Sequence, residues 1–272
     1  MMIKLLKGDC LIESDKIKSG SVDLILTDLP YGTVKDIKNV NHGMSGKCEW
    51  DVVIDTDKIM KLANRILRKN GKMILTAQQP FTNELINKAA VNVPFNYSMI
   101  WEKDHFANAL TAKKAPLNYY EDVLVFSKNE DTEKAHPLRE YFYTEYEKTG
   151  LTYKEINRDY LETTFEGGGG MAYNMLCRTR LYFSMPTEDA YSRLQKTGYF
   201  EKPYIDLKIE DEAFKNKMKS TFNLWEGNKV KSNILKYKKD YDGHHPAQKP
   251  ILLLEDLIKT FSNENDLVVD LT

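Results

Sequence analysis

Short apolar runs alternate with helical patterns over the first half of the chain. Residues 21–27 read Ser-Val-Asp-Leu-Ile-Leu-Thr, a run typical of a buried strand that is followed directly by turn residues. Residues 57–69 carry apolar side chains at helical spacing, and Asn70-Gly71 is expected to end this helix. Residues 72–76 then predict a second strand. This order of elements is typical of a layered α/β domain with a mainly parallel sheet.

The same alternation continues to about residue 128. A helix is expected after Pro80, and residues 97–102 and 122–127 predict two more strands. After residue 243 the pattern returns, with a helix predicted over 250–261 and a strand over 266–271. Residues 1–128 and 244–272 are therefore expected to build one domain.

The intervening residues 129–243 have a different composition and are predicted to form an inserted module. Ten of the sixteen tyrosines lie within residues 141–204, and few buried strand patterns occur. Thr152 stands three residues before Glu155, a capping-box pattern that predicts a helix to about residue 160. A second helical segment is predicted near residues 171–177, so a helix-turn-helix arrangement is expected.

Composition restricts the class of protein. The 272 residues are 42% hydrophobic and their mean hydropathy is −0.53, values expected for a folded, water-soluble chain. No apolar run is long enough to cross a bilayer and no signal-peptide pattern is present, so a cytoplasmic protein is expected. Three scattered cysteines predict reduced thiols, and adjacent His244 and His245 lack further ligands, so no metal is expected.

The net charge of −1 hides an uneven distribution. Residues 130–166 hold ten acidic against five basic side chains, whereas residues 167–239 hold fourteen basic against eight acidic ones. Residues 229–239 contain five lysines and no acid. This basic stretch is a candidate contact for phosphate groups, although lysine runs often only form a solvated surface.

Two motifs carry candidate chemistry. Asp28-Leu29-Pro30-Tyr31 follows the first predicted strand, at the carboxyl edge where open α/β sheets bind ligands, although an Asp and a Pro after a strand also form ordinary turns. The second motif is the segment His-Pro-Ala-Gln-Lys-Pro at residues 245–250, which precedes an amphipathic helix and a strand ending Val-Val-Asp-Leu-Thr. Turn chemistry alone does not explain a pattern of this length.

Together these motifs resemble those of the S-adenosylmethionine-dependent DNA amino-methyltransferases, in the arrangement where the catalytic motif precedes the cofactor motif. Leu29 replaces the first proline of the family's tetrapeptide, in which that residue contributes its main-chain carbonyl. The resemblance implies a Rossmann-like class I methyltransferase sheet with an inserted target-recognition module. It also implies that the partner is double-stranded DNA and that the target is the N6 amino group of adenine, with the N4 amino group of cytosine as the alternative.

The resemblance assigns roles to the tetrapeptide. The Asp28 carboxylate and the Leu29 carbonyl would accept both N–H bonds of a nucleobase amino group, freeing its lone pair for attack on the methyl group. Tyr31 would stack on the flipped-out base, and Pro30 would hold the loop rigid. The alternative for Tyr31 is a ring that closes the turn against the sheet.

The resemblance also implies a cofactor site. Lys249 and Pro250 are expected near the methionine moiety of S-adenosylmethionine, and Asp9, placed at the end of a first strand, near its adenine; Asp28 is also expected to contact the cofactor. Asp270 would begin the family's glycine loop, which does not follow it in this sequence. A truncated sheet is therefore expected, explained by a shortened chain, by a second chain that completes the site, or by a noncatalytic DNA-binding derivative.

Candidate DNA contacts lie in the inserted module. The second helical segment offers three side chains for base edges or phosphates, and the lysine-rich stretch offers five for phosphates. These residues are Asn174, Arg178, Arg180, Lys229, Lys231, Lys236, Lys238 and Lys239.

Overall fold

The structure is a computed structural model in which the chain divides into two units. The sheet unit comprises Met1–Glu130 and Ser220–Thr272, and the helical unit comprises Asp131–Lys219. The inserted module is predicted to extend to residue 243, whereas the chain from Ser220 onward belongs to the sheet unit. The structure describes residues 3–32, 51–107, 112–132, 136–163, 170–224, 230–240 and 248–272.

A six-stranded sheet in the order β5-β3-β4-β2-β1-β6 forms the centre of the sheet unit. Strand β1 is parallel to β2 and β6, and β3 is parallel to β5, whereas β4 runs antiparallel to both of its neighbours. The predicted α/β fold is therefore confirmed. The strands are β1 Val22–Thr27, β2 Leu67–Ala77, β3 Phe95–Ala107, β4 Asn118–Ser127, β5 Ile234–Lys236 and β6 Val268–Val269.

Helices cover both faces of this sheet, so apolar side chains on both faces of its central strands are buried. On one face, Ile25 and Met73 pack with Ile59 of helix α2 (Thr56–Ile66) and Leu85 of helix α3 (Phe81–Asn87). On the other face, the alternate strand residues pack against helix α9 (Ile251–Phe261). Every residue of β1 is buried as a result.

The boundary between α2 and β2 differs from the prediction. The helix ends at Ile66 and β2 begins at Leu67, so that Asn70-Gly71 lies inside the strand instead of ending the helix. Lys128, which is buried, donates hydrogen bonds of 2.7 Å to the carbonyl oxygens of Asn64 and Leu67. A distant side chain thus satisfies carbonyl groups at the end of this helix.

Two further boundaries were predicted incorrectly. No strand occurs over residues 3–9; these residues are exposed, and Asp9 is the N-cap of the short helix α1 (Cys10–Glu13), which a 3-10 turn follows. Strand β6 comprises only Val268–Val269, because β1 pairs with it through two residues.

The helical unit contains helices α4 to α8 and an aromatic core. The predicted capping box at Thr152 and Glu155 is confirmed, and it begins α5 as expected. Tyr191 is fully buried among Phe142 and Phe200, and its hydroxyl lies 2.8 Å from that of Tyr141. The tyrosine-rich composition thus serves this core. The helices are α4 Leu138–Thr149, α5 Tyr153–Asp159, α6 Gly170–Leu176, α7 Glu188–Gln195 and α8 Tyr204–Lys217.

Candidate active site

The tetrapeptide lies directly after the last residue of β1, at the carboxyl edge of the sheet. The Leu29 side chain is 2% exposed and packs in the core layer that contains α2, so its apolar character is explained by burial. At the end of the turn, Gly32 has a φ of +72° and its N–H donates to Asp51 Oδ1 at 2.9 Å. A Cβ at this position would lie 2.5 Å from a methyl carbon of Val53, so this turn requires glycine.

The Asp28 carboxylate accepts hydrogen bonds from three side chains. Tyr31 donates its hydroxyl to Oδ1 at 2.8 Å, and the Thr76 hydroxyl donates to the same oxygen. Lys249 Nζ lies 2.6 Å from Oδ2. The Asp28 side chain keeps 31% of its surface exposed, so its three partners enclose it only in part.

Lys249 connects Asp28 to a second carboxylate. Its Nζ atom lies 3.2 Å from Glu121 Oε2, and the Lys249 side chain is 9% exposed. The opposite oxygen of Glu121 accepts from Lys103 Nζ at 2.5 Å and from Gln78 Nε2 at 3.3 Å. Two carboxylates and two ammonium groups therefore form one network, in which the charges balance.

The charges within this network keep Lys249 and Glu121 ionised. Burial lowers the pKa of Lys249, but Asp28 and Glu121 raise it more, so the pKa lies above its usual value. Burial raises the pKa of Glu121, but Lys249 and Lys103 lower it to below its ordinary range. Burial, followed by the charges of Asp28 and Glu121, raises the pKa of Tyr31, whose hydroxyl therefore remains a hydrogen-bond donor.

The Tyr31 ring packs against the sheet unit's own side chains. Its centroid lies 5.7 Å from that of Phe81, and Lys249 Nζ lies 5.6 Å from the ring centroid. The ring also contacts the core layer that contains Leu29.

Four residues of this network were missed in the sequence: Thr76, Gln78, Lys103 and Glu121. Thr76 ends a predicted strand, so its position next to Asp28 could have been inferred from the parallel pairing of β1 and β2. Glu121 immediately precedes a predicted strand. The start of that strand lies at the edge where β1 and β2 end because β4 is antiparallel to β2. The local pattern does not give the direction of a strand.

The N6_N4_Mtase family model, described as DNA methylase, matches residues 22–271. The chain belongs to this family. The resemblance identified from the two motifs is therefore confirmed at the level of the family.

Individual relatives of this DNA methylase share a quarter or less of its sequence. DNA adenine methyltransferase YhdJ of Escherichia coli (strain K12) is 25% identical over 270 residues, covering 98% of this chain and 69% of the relative. Among solved structures, the M1.HpyAVI–SAM complex has 12% identity and a TM-score of 0.46, covering 99% of this chain and 80% of that one. The cytosine-N4-specific PvuII DNA methyltransferase has 13% identity and a TM-score of 0.48, with 97% and 71% covered.

Of the predicted cofactor residues, the methylase brings Asp28 and Lys249 together. Pro250, which is buried, is the N-cap of α9 and therefore adjoins Lys249. Asp270 is exposed just after β6, and its Oδ1 accepts from the N–H of Thr272 at 3.2 Å. The Asp9 carboxylate accepts the N–H of Leu11 at 2.9 Å as a helix cap.

The predicted base and phosphate contacts of the helical unit lie on or next to α6. Asn174 is half-buried within this helix. Arg178 follows the helix; its Nε atom lies 3.3 Å from Glu140 Oε2, and its Cζ atom lies 5.3 Å from the ring centroid of Tyr143. Arg180 lies 5.4 Å from the centroid of the Tyr173 ring. Both guanidinium groups therefore lie near tyrosine rings.

The predicted lysine contacts have different environments. Lys231 forms an ion pair with the buried Asp256, whereas Lys236 is 72% exposed and lies 3.2 Å from Glu102. Lys238 is exposed, and the main-chain N–H of Lys239 donates to Asp104 Oδ1 at 3.2 Å. Lys229, His244 and His245 lie outside the described residues.

In the parts of the chain that the structure describes, no group of three or more His, Cys, Asp or Glu side chains could hold a metal ion. No described helix combines the length and the apolar character needed to cross a membrane.

Proposed function

We propose that this DNA methylase transfers a methyl group from S-adenosylmethionine to the N6 amino group of adenine in a flipped-out base. The observation that carries the proposal is the partly exposed Asp28 carboxylate at the end of β1, next to the main chain of Leu29. These are the two acceptors that an amino group needs. The Leu29 side chain is anchored in the core, which fixes the peptide that follows Asp28.

The lone pair of an exocyclic amino group is delocalised into the base, so the nitrogen is a poor nucleophile. Acceptance of both N–H bonds by Asp28 and the Leu29 carbonyl favours a tetrahedral nitrogen, whose lone pair can attack in line. With S-adenosylmethionine bound, this nitrogen would bond to the methyl carbon while the carbon–sulfur bond breaks and the thioether leaves, and the Asp28 carboxylate would take the proton that the nitrogen loses and pass it to solvent. No covalent enzyme intermediate is required.

Flipping the base costs a few kcal/mol of unstacking, which contacts in the pocket must offset. Tyr31 is the proposed stacking partner, and its packing on Phe81 gives a rigid support for one side of the ring. The hydrogen bond from its hydroxyl to Asp28 fixes the ring relative to the proposed acceptors. Pro30 restricts the backbone between these two residues.

The donor set around the sheet edge fits S-adenosylmethionine, which supplies an electrophilic methyl group on a sulfonium sulfur when it is bound. The Lys249 ammonium suits a carboxylate, the Asp28 and Asp270 carboxylates suit cationic or hydroxyl groups, and Pro250 supplies an apolar wall. Asp9 would contact the adenine side of the cofactor. Lys249 already has two carboxylate partners, so a third would compete with them.

Adenine is preferred over cytosine because the adenine methyltransferase YhdJ aligns with 98% of this chain. The decisive experiment incubates the protein with DNA and methyl-labelled S-adenosylmethionine, digests the DNA to nucleosides and separates the products. Labelled N6-methyladenine is expected. Labelled N4-methylcytosine would replace the adenine assignment, and absence of label from DNA that still binds would favour a noncatalytic DNA-binding protein.

DNA is proposed to contact Asn174, Arg178 and Arg180 of the helical unit and the lysine-rich segment of the sheet unit. Arginine near a tyrosine ring combines phosphate or base contact with a fixed orientation. Of the lysines, Lys229, Lys236, Lys238 and Lys239 are the proposed phosphate contacts. Lys231 was also predicted in this role, but its ion pair with Asp256 competes with phosphate.

Replacing Lys236, Lys238 and Lys239 together by alanine is expected to flatten the salt dependence of DNA binding. Each lost phosphate contact removes about 0.9 from the slope of log affinity against log salt. Fluorescence anisotropy with a DNA duplex at several salt concentrations measures this slope. In contrast, Lys231→Ala is expected to lower thermal stability and leave the slope unchanged; an unchanged slope in the triple variant would mean that its lysines are merely solvated.

A further inference from the structure

In the proposed reaction Asp28 must accept an N–H bond from the base, but three side chains already donate to its carboxylate. A carboxylate offers about four lone-pair positions, and Tyr31, Thr76 and Lys249 donate to Asp28 already. The ammonium at 2.6 Å also balances the negative charge that should attract an amino N–H. One position remains, but acceptance of the base becomes stronger when Lys249 moves away from Oδ2, and a buried ammonium can move only toward another acceptor.

Glu121 provides that acceptor. Its Oε2 atom lies 3.2 Å from Lys249 Nζ and 3.4 Å from the Tyr31 hydroxyl, so two of the three donors to Asp28 already have this oxygen as a second partner. An ammonium has three N–H groups and can pass from one carboxylate to the other without losing its pairing. The Glu121 side chain is 8% exposed, so water does not compete strongly for this contact.

The rest of the network fixes Glu121 in place. Its Oε1 atom accepts from Lys103 Nζ at 2.5 Å and from Gln78 Nε2 at 3.3 Å, which leaves Oε2 directed at Lys249 and Tyr31. The Lys103 side chain is 4% exposed, and its Nζ lies 5.2 Å from the ring centroid of Trp101. Burial of this ammonium is therefore balanced by a carboxylate and an aromatic ring.

We infer that Glu121 is a positioning residue for the methyl transfer, which holds the Lys249 ammonium and the Tyr31 hydroxyl while Asp28 accepts the amino group. The inference rests on the proposed function. Glu121 itself does not contact the reacting atoms; it acts by keeping Asp28 available and by retaining the buried cation beside it.

Glu121→Gln tests this role because it removes the charge and keeps the size of the side chain. Lys249 then has Asp28 as its only carboxylate partner in the network, and the rate of the chemical step is expected to fall about 100-fold. Single-turnover transfer of labelled methyl groups to DNA, at saturating cofactor, measures this step. The KM for DNA is expected to change less than about threefold, because Lys249 and Glu121 are not among the proposed DNA contacts.

Two further variants separate positioning from folding. Glu121→Asp keeps the charge, and its rate of methyl transfer is expected to be at least about tenfold higher than that of Glu121→Gln. The double variant Glu121→Gln/Lys103→Met removes one buried charge of each sign, and it should melt cooperatively even where the single variant does not. It is expected to show the same 100-fold loss as Glu121→Gln. Glu255→Gln, which removes an exposed carboxylate on α9, is the matched control.

The outcomes distinguish this inference from the proposed function. Absence of transfer by the wild-type protein would overturn the proposed function and the inference together. Transfer by the wild-type protein with an unchanged rate in the folded double variant would overturn only the role of Glu121. A loss that appears in KM for DNA, with the chemical step unaffected, would likewise overturn the positioning role.

Discussion

Asp28→Ala is expected to reduce methyl transfer by about 1000-fold, because one of the two acceptors of the amino group is lost from a preorganised site. The variant should still fold, since Lys249 keeps Glu121 as a partner at 3.2 Å. DNA affinity is expected to be nearly unchanged, because Asp28 is not a proposed phosphate contact. Labelled methyl incorporation and fluorescence anisotropy with the same DNA duplex measure the two quantities.

Asp28→Asn gives a graded comparison. The amide keeps one acceptor oxygen of similar position, so this variant is expected to retain more activity than alanine. It also removes the charge that attracts Lys249, which should release the ammonium toward Glu121. Activity of Asp28→Ala equal to that of the wild type would exclude the proposed chemistry.

Asp23→Ala is expected to have the largest effect on stability, lowering the free energy of unfolding by about 3 to 5 kcal/mol. Asp23 on β1 and Arg68 on β2 pair at 2.5 Å, with side chains 2% and 3% exposed. The second Asp23 oxygen accepts the N–H of Leu267 at 2.8 Å, next to β6. The substitution therefore leaves a buried guanidinium without its carboxylate and a main-chain group without its acceptor.

Urea denaturation followed by tryptophan fluorescence, to which the buried Trp101 of the sheet unit contributes, measures this effect. The matched control is Asp15→Ala, because Asp15 also pairs with an arginine, Arg65, at 3.6 Å but is 80% exposed. Its expected effect lies within about 0.5 kcal/mol. Equal destabilisation by the two substitutions would mean that burial of the Asp23 pair contributes nothing.

Local pattern was sufficient to predict several elements. The apolar run before Asp28 forms β1, and helical spacing predicted α2 and α9, because burial on one or both faces leaves a direct trace in residue order. Boundaries were less predictable where distant residues intervene. The helix α2 ends three residues before the predicted point, where Lys128 from the end of β4 meets its last carbonyl groups.

The candidate site divides in the same way. The residue order established that an acid, a leucine, a proline and a tyrosine follow a buried strand, and that Lys249 belongs to a motif shared with a family of DNA methylases. Only the tertiary structure decided which charges meet there. Lys249 reaches Asp28 across 221 positions of sequence, and Glu121 joins them because β4 runs antiparallel and begins at the edge where β1 ends. Burial of apolar side chains leaves a trace in the local sequence pattern, whereas pairing of buried charges depends on strand order and direction, which are set by packing of the whole sheet.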